Sequence, residues 1–233
     1  MKRKLILILV LFISIFTLAS CGKKKDTEGT IKPNEASEAF KKDYESLNGK
    51  TNKGGKEHRT VSIPAANPMQ EITTKELLEK IEKKETFYVY FGSSLCPWCR
   101  SVIEKAISVA QKKDVKVIYY IDIWDEEGNE ILRDKFELNK KNKPYRSKEG
   151  TEDYYKLLDV FKDLLRDYEL TDAKGKKIST GEKRIYAPNF FYVEEGVAKR
   201  MVAGYSDKQK DSRQELTEEM LKDEENMFNE FFK

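Results

Sequence analysis

The chain reads as an α/β protein whose sheet is at least partly parallel, and three stretches carry that reading. Phe87-Tyr88-Val89-Tyr90-Phe91 is an unbroken aromatic and β-branched run, as a strand buried on both faces requires. Val102, Ile103, Ala106, Ile107 and Ala110 then recur at helical spacing, and Val115 to Ile121 supplies a second strand, so that strand, helix and strand make a βαβ unit. Asn189 to Val193 and Val197 to Val202, joined by Glu194-Glu195-Gly196, read as a hairpin.

Upstream of this unit the chain changes character several times. Residues 1–20 have the form of a secretory leader: a basic start at Lys2, Arg3 and Lys4, an apolar run from Leu5 to Phe16, then small residues. A transmembrane anchor is the alternative, since the apolar run is only slightly shorter than the roughly 18 to 20 residues that a span needs. Leu18-Ala19-Ser20-Cys21 resembles the bacterial lipobox, which implies a diacylated Cys21 at the new N-terminus and a domain on the outer face of the cytoplasmic membrane. Residues 21–60 read as a tether and N-terminal extension, polar to about Pro33, with a short helix from Asn34 to Asn48 that carries Phe40, Tyr44 and Leu47 on one side. Pro64 and Pro68 predict an extended segment over residues 61–69. Thr73 and Glu76 have capping-box spacing ahead of Leu77, Leu78 and Ile81, which predicts a helix.

Downstream, residues 125–185 form an insertion with one helix. Thr151 is its expected cap, and Tyr154, Leu158, Phe161, Leu165 and Tyr168 form a stripe that reads as core packing. Thr171 to Glu182, carrying Gly175 and Gly181, is expected as a surface loop. Ser212 and Glu215 are expected to cap a final helix that turns Leu216, Met220, Met227, Phe228 and Phe231 inward.

Charged residues are 36% of the 233, yet the net charge is +3, an excess matched by Lys2, Arg3 and Lys4. The chain beyond the leader is neutral, so overall electrostatics give no case for a nucleic-acid partner. The chemistry sits in Cys96-Pro97-Trp98-Cys99. Cys96 stands at a helix start with Pro97 in the first turn, where unpaired amides favour a thiolate. Cys99 lies one turn on, placed to resolve a mixed disulfide. A structural disulfide is the alternative, though the two-residue spacing is short for that purpose. A closed zinc site would need four ligands, and beyond these two cysteines the chain offers only Cys21 and His58, so no metal is expected. His58, beside Arg59 in a polar stretch, reads as a solvated loop histidine. Arg100 either favours the thiolate or decorates an exposed helix face. Trp98 and Trp124 are candidates for a docking surface, with packing the simpler role for Trp124.

Tyr88-Val89-Tyr90-Phe91-Gly92, Cys96-Pro97-Trp98-Cys99-Arg100 and Ala187-Pro188 before the hairpin together resemble the thioredoxin superfamily. The nearest resemblance is to thioredoxin-like lipoproteins and bacteriocin-transport accessory proteins of Gram-positive bacteria, over roughly residues 73–204. The resemblance implies a thioredoxin fold over residues 61–233, interrupted by the insertion. It also implies a protein thiol-disulfide oxidoreductase that uses its cysteine pair with no small cofactor. Pro188 would be the family's cis-proline, with Ala187 pairing its backbone with substrate. The implied partners are cysteine-containing exported proteins and a redox partner protein. Tyr90 stands where cytoplasmic thioredoxin has a buried aspartate, so proton handling cannot be carried over. The rival reading is a non-catalytic surface lipoprotein that assists peptide export or binds a partner through the insertion. A peroxide-reducing enzyme is disfavoured because no Thr-x-x-x-Cys surrounds Cys96.

Overall fold

The run at residues 87–91 forms the central strand of the main sheet, and its alternation sorts the whole core into two layers. In a computed structural model that describes residues 31–233, β2 (Phe87–Gly92) turns Tyr88 and Tyr90 to one face and Phe87, Val89 and Phe91 to the other. It pairs in parallel with β3 (Ile118–Asp122), which in turn pairs in parallel with β1 (Met69–Glu71). On its other side β2 runs antiparallel to β8 (Asn189–Glu194), which carries β9 (Val197–Val202) at the edge. The order β1-β3-β2-β8-β9 makes a five-stranded mixed sheet.

Helices cover both faces. α1 (Glu35–Glu45), α3 (Pro97–Lys112) and α5 (Glu218–Phe231) bury Phe40, Tyr44, Ile103, Ile107 and Phe228 against Tyr90, Tyr120 and Phe190. α2 (Thr74–Glu82) and α4 (Glu152–Phe161) bury Leu77, Leu157 and Phe161 against Val89, Phe91 and Phe191. The expected caps hold for three of these helices: Asn34, Thr73 and Thr151 each accept a hydrogen bond from the backbone amide three residues on. The 194–196 turn is also as expected, with Glu195 and Gly196 both at positive φ. Residues 31–233 form one compact unit, so α1 belongs to the fold and is no part of a free tether. The expected leader and Cys21 lie outside the described residues.

Four expectations fail. Residues 166–184 are not a helix end followed by a loop: β6 (Arg166–Thr171) and β7 (Lys177–Arg184) form a hairpin held by cross-strand pairs of Lys177 with Glu169 at 2.9 Å and Lys183 with Asp167 at 2.8 Å. A second hairpin, β4 (Lys135–Leu138) with β5 (Pro144–Lys148), precedes α4, so the insertion is mixed and not helical alone. α4 stops at Phe161; Leu165 and Tyr168 are buried as expected but from a turn and from β6. The last helix is capped by Thr217, whose hydroxyl accepts from the Met220 amide at 3.3 Å, while Ser212 lies in a turn. Gly92 is the last residue of β2 and pairs with Asp122.

Candidate active site

Cys96 is the N-cap of α3, with Pro97 next in the chain where the missing amide hydrogen costs nothing. Its Sγ accepts from the Cys99 amide at 3.4 Å, and the thiol lies 3.6 Å from the Ala187 carbonyl oxygen, to which it donates when protonated. Ala187-Pro188 is a cis peptide, and the Cys96–Ala187 contact shows that the residues paired in the sequence reading meet in space. Both cysteines are buried, Cys99 more completely than Cys96.

The two thiols are driven apart. The Cys96 thiol is pulled below its ordinary range, chiefly by a hydrogen bond from the Cys99 thiol, aided by the Cys99 and Trp98 amides and by the Arg133 charge against the opposing effect of burial. Burial pushes the Cys99 thiol well up, and the neighbouring Cys96 pushes it further. Two groups of this kind, one thiolate-prone and one held as a thiol, divide naturally into an attacking and a resolving sulfur.

Behind Cys99 stands a tyrosine pair: Tyr90, which the sequence marked at the place of thioredoxin's buried aspartate, and Tyr44, whose role there sequence reasoning missed. Tyr90 packs in the same core layer as Cys99, and its hydroxyl favours the Cys99 thiolate. The Tyr90 and Tyr44 hydroxyls lie 2.9 Å apart, both wholly buried. Gly92 makes this placement possible, because a Cβ there would stand 2.1 Å from the Tyr90 hydroxyl. Tyr44 comes from α1, so the N-terminal extension completes the site. Burial pushes the Asp43 carboxyl up to about 6, with Ser94 Oγ bonded to it at 3.0 Å.

Arg100 is neither a thiolate partner nor an exposed decoration. It is 1% exposed, with Nε on the Arg59 carbonyl at 2.7 Å, Nη1 on the Tyr44 and Ser94 carbonyls at 2.8 and 3.2 Å, and Nη2 on Asn48 Oδ1 at 2.8 Å. His58 is likewise buried and not solvated; burial, with the Arg100 and Arg213 charges, lowers its pKa. Trp98 packs on the α1/α3/α5 layer and meets Tyr205 at 4.7 Å between ring centroids. Trp124 packs against both core layers, as the packing alternative has it. Among the described residues no group of three or more His, Cys, Asp or Glu side chains is placed to hold a metal ion.

No family model and no curated protein matches the chain.

Proposed function

We propose that the chain is a thioredoxin-fold protein thiol-disulfide oxidoreductase, with Cys96 as nucleophile and Cys99 as resolving thiol. The observation that carries the reading is the asymmetry of the pair: an N-cap sulfur pulled toward the thiolate, backed by a buried thiol one turn along. The sheet order, with helices on both faces and the cis Ala187-Pro188 beside Cys96, supports the fold assignment.

The reaction balances without a cofactor. The Cys96 thiolate attacks one sulfur of a target disulfide; the S–S bond breaks, and the leaving thiolate takes a proton. Cys99 loses its proton and attacks Cys96 Sγ, expelling the second target thiolate, which is protonated in turn. The target gains two electrons and the cysteine pair loses two; the same steps in reverse oxidise a dithiol. Pro97 and Trp98 shape the approach to Cys96, and Ala187 and Pro188 support the incoming segment. Anchored through Cys21, the domain would act on cysteine-containing exported proteins at the outer face of the membrane and exchange electrons with a redox partner protein.

The test is Cys99→Ala with insulin as the disulfide substrate. A Cys96-linked mixed disulfide that dithiothreitol reverses is the expected product, persistent in the variant and fleeting in the unsubstituted chain. Absence of any adduct at Cys96 would put the non-catalytic reading first.

The tyrosine pair makes its own prediction. Tyr90→Phe removes the hydroxyl that favours the Cys99 thiolate, and loss of a stabilisation on the scale of one charged hydrogen bond is expected to slow resolution of the mixed disulfide about tenfold at pH 7. The pH at which resolution becomes fast should rise by about one unit, while formation of the mixed disulfide changes little. An unchanged pH profile would leave Tyr90 as packing only.

A further inference from the structure

We infer that the rim around Cys96 favours target segments carrying an acidic side chain beside the reacting cysteine, and that Arg166 is the residue that reads it. The inference rests on the exchange reading above and adds the class of substrate.

The rim closes contact by contact. Two residues past Cys96, Trp98 meets the Tyr205 ring. The Tyr205 hydroxyl accepts from both Nη atoms of Arg166 at 3.3 Å. The Arg166 guanidinium lies 5.3 Å over the Tyr186 ring. Tyr186 is bonded to Ala187, whose carbonyl returns to Cys96 at 3.6 Å. Cys96 is 4% exposed, so a target sulfur must pass this rim to reach it. The inserted hairpin is fixed in place there: the Tyr186 hydroxyl donates to the Asp167 carbonyl at 2.9 Å and accepts from the Glu169 amide at 3.2 Å.

Arg166 is the charged member of an otherwise aromatic and backbone rim, and among the described residues it makes no ion pair. Its surroundings sharpen the contrast. Asp167 is taken by Lys183 and Glu169 by Lys177, while Arg133 is ion-paired with Glu130 at 2.5 Å. Both Nη groups lean on one neutral phenol, which leaves guanidinium donors for a stronger acceptor. Tyr186 beneath the plane holds the guanidinium in one orientation, so less freedom is lost when a carboxylate binds. An exposed, pre-oriented and unpaired arginine at the mouth of a nucleophile suits an aspartate or glutamate on the incoming strand.

The experiment uses two disulfide-linked peptides that differ only in Asp or Lys next to the cysteine, with the rate of reduction by the purified full chain measured at low salt. The Asp peptide should react about fivefold faster, the scale of a well-oriented, partly exposed ion pair, and the margin should shrink with added salt. Arg166→Ala should erase the preference and Arg166→Glu should invert it, whereas Lys140→Ala, an exposed cation on the other inserted hairpin, should keep it. Equal rates for the two peptides with the unsubstituted chain, or a preference that survives Arg166→Ala, would overturn the inference while leaving exchange intact. If neither peptide is reduced although both are accessible to dithiothreitol, the exchange reading falls and takes this inference with it.

Discussion

Arg100→Ala is expected to destabilise the chain by about 3 to 5 kcal/mol, the usual cost of removing one side of a buried, charged hydrogen-bond network. The guanidinium is 1% exposed and satisfies four acceptors from four separate stretches of chain: Tyr44 in α1, Asn48 after it, Arg59 in the extension and Ser94 in the loop before Cys96. Asn48 is itself clamped to the Val61 backbone through both ends of its amide, so the network ties residues 44–61 onto α3 as one piece. Alanine would leave those acceptors without their donor and open a cavity the size of the lost side chain. Denaturant unfolding should show a lower midpoint with an unchanged m-value. Limited proteolysis should cut first within residues 46–62. Because Ser94 and Tyr44 border the cysteine pair, the variant should also react more slowly at Cys96. A loss below about 1 kcal/mol would mean that water replaces the guanidinium and that the extension docks without it.

How much of this was legible in the sequence depends on where each signal came from. β2, α3, β3 and β8 were readable because burial in a central strand, or on one stripe of a helix, forces a local pattern of apolar residues, and the edge strand β9 was readable from the Glu194-Glu195-Gly196 turn. The two inserted hairpins were not, because they scarcely touch the core: β6 buries Tyr168 alone, and β7 buries only Arg184 at its end. Their strands are held by ladder hydrogen bonds and cross-strand ion pairs, which leave no hydrophobic period to detect. Thr171 to Glu182 therefore looked like loop. The start of α5 was misplaced because Ser212 and Glu215 have the same spacing as a true capping box, and only packing selected Thr217.

The site divides the same way. Cys96 and Cys99 announce themselves through spacing and a helix start, and Ala187-Pro188 came through resemblance. Tyr44, Arg100 and Arg166 carry no local signal. Arg100 follows the two-cysteine motif on an amphipathic helix, where a charged side chain is normally solvated; it is buried because carbonyls 41 and 56 residues upstream converge on it. Tyr44 reads as a core aromatic and is one, with its hydroxyl as the added feature. Such roles arise from long-range contacts, and sequence periodicity is blind to them.

Glu224 carries the second large effect, and its sign depends on pH. The side chain sits on α5, wholly buried, and neither carboxylate oxygen has a hydrogen-bond partner. It borders a cavity of about 350 Å³ lined also by Arg59, Ser101, Glu104, Lys105 and Leu216. Burial pushes its carboxyl up to about 8 against the opposing charges of Lys105 and Arg59, from an ordinary value of 4.5. A carboxyl with a raised folded-state pKa binds its proton more tightly when folded, so its contribution is most favourable below about pH 4.5 and is lost as pH climbs to about 8. Each pH unit in that window costs about 1.4 kcal/mol at the limit, and solvent reaching the cavity will reduce the total to about 2 or 3 kcal/mol. Glu224→Gln cannot ionise. Relative to the unsubstituted chain it should be about 2 kcal/mol more stable at pH 8.5 and no more stable at pH 4.5, the difference between the two proteins isolating this one group from the other raised carboxyls, Asp43, Glu71, Asp122 and Asp134. Urea unfolding of both proteins at the two pH values is the measurement. A stability difference that does not change with pH would show that Glu224 titrates in the folded chain as it does in the unfolded one, with Lys105 and Arg59 offsetting the effect of its burial.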